Sequence, residues 1–196
     1  MGDLERATEL YEEDGRRPRT GAGPGPPGHL DLPRSDLALI YRDAGDGERA
    51  LPLAEAVLAD RRRVLSTDHP DLLTSLNNLA GCYGAVGAAD KAIALYEEVL
   101  RDRTRVLGPD NPDTLTARNN LACALAEAGD LDTAIPLLHT VLQDRVHVLG
   151  RDHPHAITSR GTLGGAHRRA ATSTARSRTT GRALADADVY WARITS

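Results

Sequence analysis

A 42-residue unit is written twice in succession in this chain, and no other feature limits its fold as strongly. HPDLLTSLNNLAGCYGAVGAADKAIALYEEVLRDRTRVLG begins at His69, and NPDTLTARNNLACALAEAGDLDTAIPLLHTVLQDRVHVLG begins at Asn111. Self-similarity at a fixed period of this size means stacked supersecondary units, none of which buries its apolar face alone. A further start stands at His153, in HPHAITSRGTLGGAHRRA, again 42 residues on. Upstream, SDLALIYRDAGDGERALPLAEAVLADRRRVLSTDHP keeps the register: Leu37, Tyr41, Gly45, Ala50 and Val57 match Leu79, Tyr83, Gly87, Ala92 and Val99.

Within a unit the pattern is that of two helices. Leu72, Leu73, Leu76, Leu79, Ala80 and Tyr83 fall three and four apart and define one helical stripe. Pro70 and Pro112 suit the first helical position, where a missing amide hydrogen costs nothing, and Asp71 and Asp113 sit against the positive end of the helix dipole. Gly87 and Gly129 follow as stops, able to take a left-handed conformation. A second stripe runs through Ala92, Ile93, Tyr96, Val99, Leu100, Arg103 and Leu107. Each unit is therefore expected to be a helical hairpin, with helices near 71–86 and 90–107. Ala80, Ala92, Ala122 and Ala134 let the axes approach, while Leu79, Tyr83, Leu121 and Leu125 fill the space between hairpins. Stacked, the hairpins form an extended superhelix with one concave side.

These residues resemble the tetratricopeptide repeat (TPR) family, in particular the longer 42-residue kinesin-light-chain-like repeats common in actinobacterial proteins. Leu79, Ala80, Tyr83, Gly87, Ala92, Tyr96 and Val99 match its signature spacing, as do Leu121, Ala122, Leu125, Gly129, Ala134, Leu138 and Val141. The resemblance implies an all-α fold, an α-α superhelix (TPR solenoid) of antiparallel hairpins. It also implies an interaction scaffold whose concave lining, drawn mainly from first helices, binds a peptide or a partner domain. By that resemblance Thr74, Asn77, Asn78, Thr116, Asn119 and Asn120 map to the groove. An Asn amide has donors and an acceptor, so it can bind a peptide backbone whatever the side chains. The competing reading is that the Asn pair only supports the hairpin through a bond to a neighbouring loop. The first unit has Ser35 and Asp36 in place of that pair and the last has Gly161 and Thr162, so the expected groove is short.

The units divide the chain into a Gly/Pro-rich linker at 15–33, repeats at 34–68, 69–110 and 111–152, and a first helix at 153–170. Residues 1–14 read as a partial repeat, a second helix only, because GDLERATELYEE resembles GDLDTAIPLLHTV from Gly129. Residues 171–196 read as a degenerate or disordered tail, rich in Thr, Ser and Arg with little apolar periodicity. Back-translated with GC-rich codons and read one nucleotide out of phase, both TGAGPGPPGHLDLP and AATSTARSRTT yield repeat-like sequence in register. A pair of compensating frameshifts is therefore expected at the first place and a frameshifted second helix at the second, and the coding DNA tests this directly.

Composition narrows the function classes. A net charge of −4 gives no global pull towards nucleic acid or anionic membrane, and 3% aromatics with no Phe point to a core of Leu, Ala, Val and Ile. No apolar run approaches the roughly 20 residues that a membrane span needs, and the acidic N-terminus is unlike a secretory signal, so a cytoplasmic protein is expected. GAGPGPPG lacks the GK[ST] ending of a phosphate-binding loop. Cys82 and Cys123 form no CxxC and read as small buried residues.

His153 and His155 find no recurring Cys or carboxylate at ligand spacing, so no metal or cofactor is expected. Asp68 with His69 and Asp152 with His153 sit at hairpin junctions without a nucleophile and read as helix caps, so no catalytic residue is assigned. Arg61 to Arg63 read as a solvated basic face. The reading is a non-enzymatic protein–protein interaction scaffold, part of a larger regulatory protein, with self-association through uncapped repeat ends. Its alternatives are a regulatory segment of a nucleotide-dependent (NB-ARC-like) switch and, more weakly, a nucleic-acid binder acting through Arg160, Arg168, Arg169, Arg176, Arg178 and Arg182.

Overall fold

The computed structural model describes the backbone of residues 32–194, with side chains over 34–174. The expected partial repeat at 1–14 and most of the 15–33 linker lie outside that range. Among the described residues seven helices follow one another: α1 Leu32–Asp43, α2 Gly47–Val64, α3 Pro70–Ala85, α4 Ala89–Leu107, α5 Pro112–Ala128, α6 Leu131–Leu149 and α7 Pro154–Ile194. Among the described residues there is no strand. Each helix packs on the next in sequence, and first helices also meet across hairpins, α1 on α3 and α5 on α7. The fold is thus the expected all-α stack of antiparallel hairpins.

The helix boundaries follow from local chemistry. Pro70 and Pro112 occupy the first turns of α3 and α5. Gly129 ends α5 at φ 92° and ψ −1°, where a side chain would meet its own backbone. Of the Asp–His pairs read as caps, the histidine is the residue that caps. His69 Nδ1 accepts from the Asp71 amide at 3.1 Å, Asn111 Oδ1 from Asp113 at 2.9 Å, and His153 Nδ1 from His155 at 3.2 Å. Asp68 instead takes two hydrogen bonds from Arg105 at the end of α4, at 3.0 and 2.5 Å, and that guanidinium holds its carboxyl below the usual carboxylate range.

The core repeats with the sequence. Ala38, Ala80 and Ala122 are 3%, 0% and 0% exposed; Ala50, Ala92 and Ala134 are 0%, 1% and 0%; Val57, Val99 and Val141 are 3%, 0% and 0%. Small residues at these contacts set the distance between axes, and Leu73, Leu76, Leu79, Leu115 and Leu138 fill the rest. Burying each such leucine stabilises by about 1.5–3 kcal/mol, which single hairpins forgo.

A polar staple joins successive units. Arg61 Nη1 donates to the Asp71 carbonyl at 3.1 Å and to Ser75 Oγ at 2.6 Å. Arg103 repeats the first bond, to Asp113 O at 3.1 Å, and Arg145 repeats both, to His155 O at 3.1 Å and Ser159 Oγ at 2.7 Å. Arg61 is thus corrected from a solvated face to an inter-unit tie, while Arg62 and Arg63 remain exposed. The middle unit has Ala117 at the serine position, so Arg103 lacks the second partner.

The last helix departs from the hairpin pattern. α7 continues without a turn past Arg169 to Ile194, through the stretch that the sequence reads as a degenerate or disordered tail. Ala170, Ala171 and Ala175 are strong helix formers, and Thr172 and Thr174 fold their hydroxyls back onto the carbonyls four residues earlier at 2.9 and 3.0 Å. No Gly–Asp stop like that at Gly129–Asp130 interrupts this stretch.

Candidate binding groove

First helices lie side by side, and the candidate groove lies between them, with Ala92 and Tyr96 of α4 contributing to its lining. α3 and α5 are joined across it by Asn120 Nδ2, which donates to Asn77 Oδ1 at 3.0 Å. Two hollows follow. The first, about 290 Å³, lies between α3 and α5 and is lined by Gly81, Gly84, Tyr96, Asn120, Cys123 and Glu127, among others. The second, about 640 Å³, lies between α5 and α7, where Cys123 and Glu127 now face Thr162, Gly165, Arg168 and Arg169. Cys123 and Glu127 border both, so α5 is the wall that the two hollows share. They are also copies of one another: Asn120, Cys123, Ala124 and Glu127 stand 42 residues before Thr162, Gly165, Ala166 and Arg169.

Small residues make the floor. A Cβ built on Gly84 meets nothing within 4 Å, and at Gly165 only the Arg168 guanidinium at 3.8 Å. Gly81 is tighter, since a Cβ there lies 3.1 Å from Arg42 Cδ and 3.4 Å from the Tyr96 hydroxyl, so these two side chains close over it. Burial raises the Tyr96 phenol to about 12. Burial, then the Glu127 carboxylate, pushes the Cys123 thiol up, so at neutral pH it offers a neutral thiol and no thiolate. The walls carry one acid, Glu127, opposite two bases, and Arg169 also donates to the Ala126 carbonyl at 3.4 Å.

The six residues assigned from the sequence separate. Asn120 lines the first hollow, and Asn77 is its partner. Asn78 is half-buried with no hydrogen bond from its amide to the described protein. Thr74 and Thr116 sit one turn into α3 and α5, and their hydroxyls donate to Pro70 O and Pro112 O, both at 2.9 Å. Thr116 also accepts from Arg145 at 3.2 Å. Asn119 turns inward, 7% exposed, with Arg145 and Ser159 donating to its Oδ1 at 3.5 and 3.4 Å. It is a packing residue, and we remove it from the groove. The reason is geometric: consecutive helical residues point about 100° apart, so an Asn pair cannot face one trough together.

Tyr96, Cys123, Glu127, Arg168 and Arg169 also line the hollows and are not among the residues assigned to the groove from the sequence. Continuing the helical period from Asn120 by three, four and seven reaches Cys123, Ala124 and Glu127, a signal present in the sequence.

A family model described as tetratricopeptide repeat matches residues 32–104 and 77–143, together more than half of the chain. The chain belongs to the tetratricopeptide repeat family. Its array resembles solved structures of the nearly identical TPR-like repeats of a kinesin-light-chain-type protein from Podosopora anserina. One of these, a single-residue variant, has 25% identity and a TM-score of 0.67, covering 94% of this chain and 86% of that one. The parent structure gives 25% and 0.66, covering 94% and 87%. The TPR fold is shared as well by BtubC (BKLC) from P. vanneervenii, at 24% identity and a TM-score of 0.60 over 84% of this chain and 61% of that one. No curated protein matches the sequence. Among the described residues no helix of the array is long and apolar enough to cross a membrane.

Proposed function

We propose that this TPR array is a non-enzymatic scaffold in the cytoplasm that holds an extended segment of a partner protein in the trough of α3, α5 and α7. The observation that carries the reading is the repetition of one hollow at the 42-residue register, with Cys123 and Glu127 lining both copies. Such a trough suits a chain that repeats its own contacts, as an extended peptide does at about 3.3 Å per residue. Asn120 Oδ1 and the amide of Asn78 supply backbone partners, while Glu127, Arg168 and Arg169 supply charge of both signs.

A display library of random peptides, followed by amide chemical-shift mapping of the strongest binder, tests the reading. Shifts concentrated at Asn120, Cys123, Glu127 and Gly165 support it. Shifts confined to the outer faces of α4 and α6, or a library that yields no binder, contradict it. The same reading makes the chain part of a larger regulatory protein, which the reading frame around its gene checks.

A further inference from the structure

Where α6 meets α7, His139 and His167 face each other with their Nε2 atoms 3.4 Å apart and their rings inclined by 72°. Both side chains are exposed. The same repeat positions 84 residues earlier hold Glu55 and Tyr83, whose hydroxyl donates to the carboxylate at 3.0 Å. The intervening junction has Glu97 and Leu125. The position is therefore a standing contact between the second helix of one unit and the first helix of the next. Only between α6 and α7 is it filled by two imidazoles.

We propose that His139 and His167 form a two-histidine clamp for a divalent transition-metal ion of the Zn²⁺ or Cu²⁺ class. Two imidazole nitrogens bound at about 2.0–2.1 Å to a tetrahedral ion stand about 3.3–3.4 Å apart, the separation already present. That separation is longer than the roughly 2.7–3.2 Å of a well-formed hydrogen bond from a ring nitrogen. Imidazole is a preferred donor for these ions. Among the described residues no group of three or more His, Cys, Asp or Glu side chains gathers, so water completes the shell and the ion is exchangeable. The bound ion crosslinks α6 to α7, and because it binds only the docked arrangement it stabilises that docking. His167 adjoins Arg168 in the wall of the larger hollow, so the ion also fixes one side of the trough.

Calorimetric titration of the tag-free full chain with ZnCl₂ at neutral pH tests the clamp, with electron paramagnetic resonance of the Cu²⁺ form reporting the number of nitrogen ligands. One ion per chain and two nitrogens are expected. His139→Ala and His167→Ala should each lower affinity at least tenfold, and the double variant should be no weaker than either. His139→Glu combined with His167→Tyr recreates the Glu55–Tyr83 contact, so it should keep the wild-type melt in the absence of metal and lose the zinc-induced rise. Binding that survives in these variants and disappears in His153→Ala or His155→Ala would overturn the assignment. Absence of saturable uptake by the wild-type chain would do so as well.

Discussion

Arg145 shows how a charged side chain becomes part of the core of a repeat array. It is 2% exposed, and its guanidinium satisfies a carbonyl, a hydroxyl and an amide oxygen belonging to α5 and α7. Removing it strands those acceptors, so Arg145→Ala should cost about 2–4 kcal/mol in a denaturant melt, whereas Arg103→Ala, with one carbonyl partner, should cost about half as much. Equal losses would show that the staple is incidental. Tyr96 gives a second residue-scale test. Its phenol is raised from 10.0 to about 12, so its contribution to stability is complete below pH 10 and is lost as pH rises through 12. Absorbance of the phenolate should show one tyrosine ionising near 12, and Tyr96→Phe should delete that step; a titration in which every tyrosine ionises near 10 contradicts the burial.

At the scale of the element, the period made the hairpins legible because burial alternates with the helical turn, and Ala, Leu and Gly recur where the geometry needs small, large and left-handed residues. What was not legible depended on contacts between units. Arg61 read as solvent-facing because its acceptors, Asp71 O and Ser75 Oγ, lie on the following helix, which the periodicity of α2 alone does not display. The capping role fell on His69 and His153, one residue after the aspartates, because the chain turns into the helix at that residue. Of the residues assigned to the groove, Asn120 lines the first hollow while Asn119 is buried against Arg145 and Ser159, since the two diverge by their helical angle. Where α3 packs on α4, Ala92 is 1% exposed. Ala92→Asp places an unpaired carboxylate there and should cost about 3 kcal/mol or more by chemical denaturation, while Ala92→Ser should cost far less. Equal stability of the two variants would mean that the hairpin is not closed at this contact.

The whole molecule is a stack whose final helix is less covered than its predecessors. Leu73 and Leu115 are 2% and 0% exposed, but the residue at the same register in α7, Ile157, is 53% exposed. An apolar side chain left open at a position that the repeat normally buries favours association. Concentration-dependent light scattering should detect oligomers of the wild-type chain and a shift to monomer in Ile157→Lys; a monomer at every concentration contradicts this.

The proposed work of the molecule lies in the trough, and Gly84 gives direct access to it. Its Cβ position is free, its helix gains from losing a glycine, and a side chain introduced there would stand at the lining of the first hollow. The affinity of a library-selected peptide, measured for the wild type, Gly84→Trp and the off-groove control Gly161→Trp, should fall at least tenfold in the first variant alone, with all three chains melting alike. Undiminished binding to folded Gly84→Trp would contradict a function seated between the first helices.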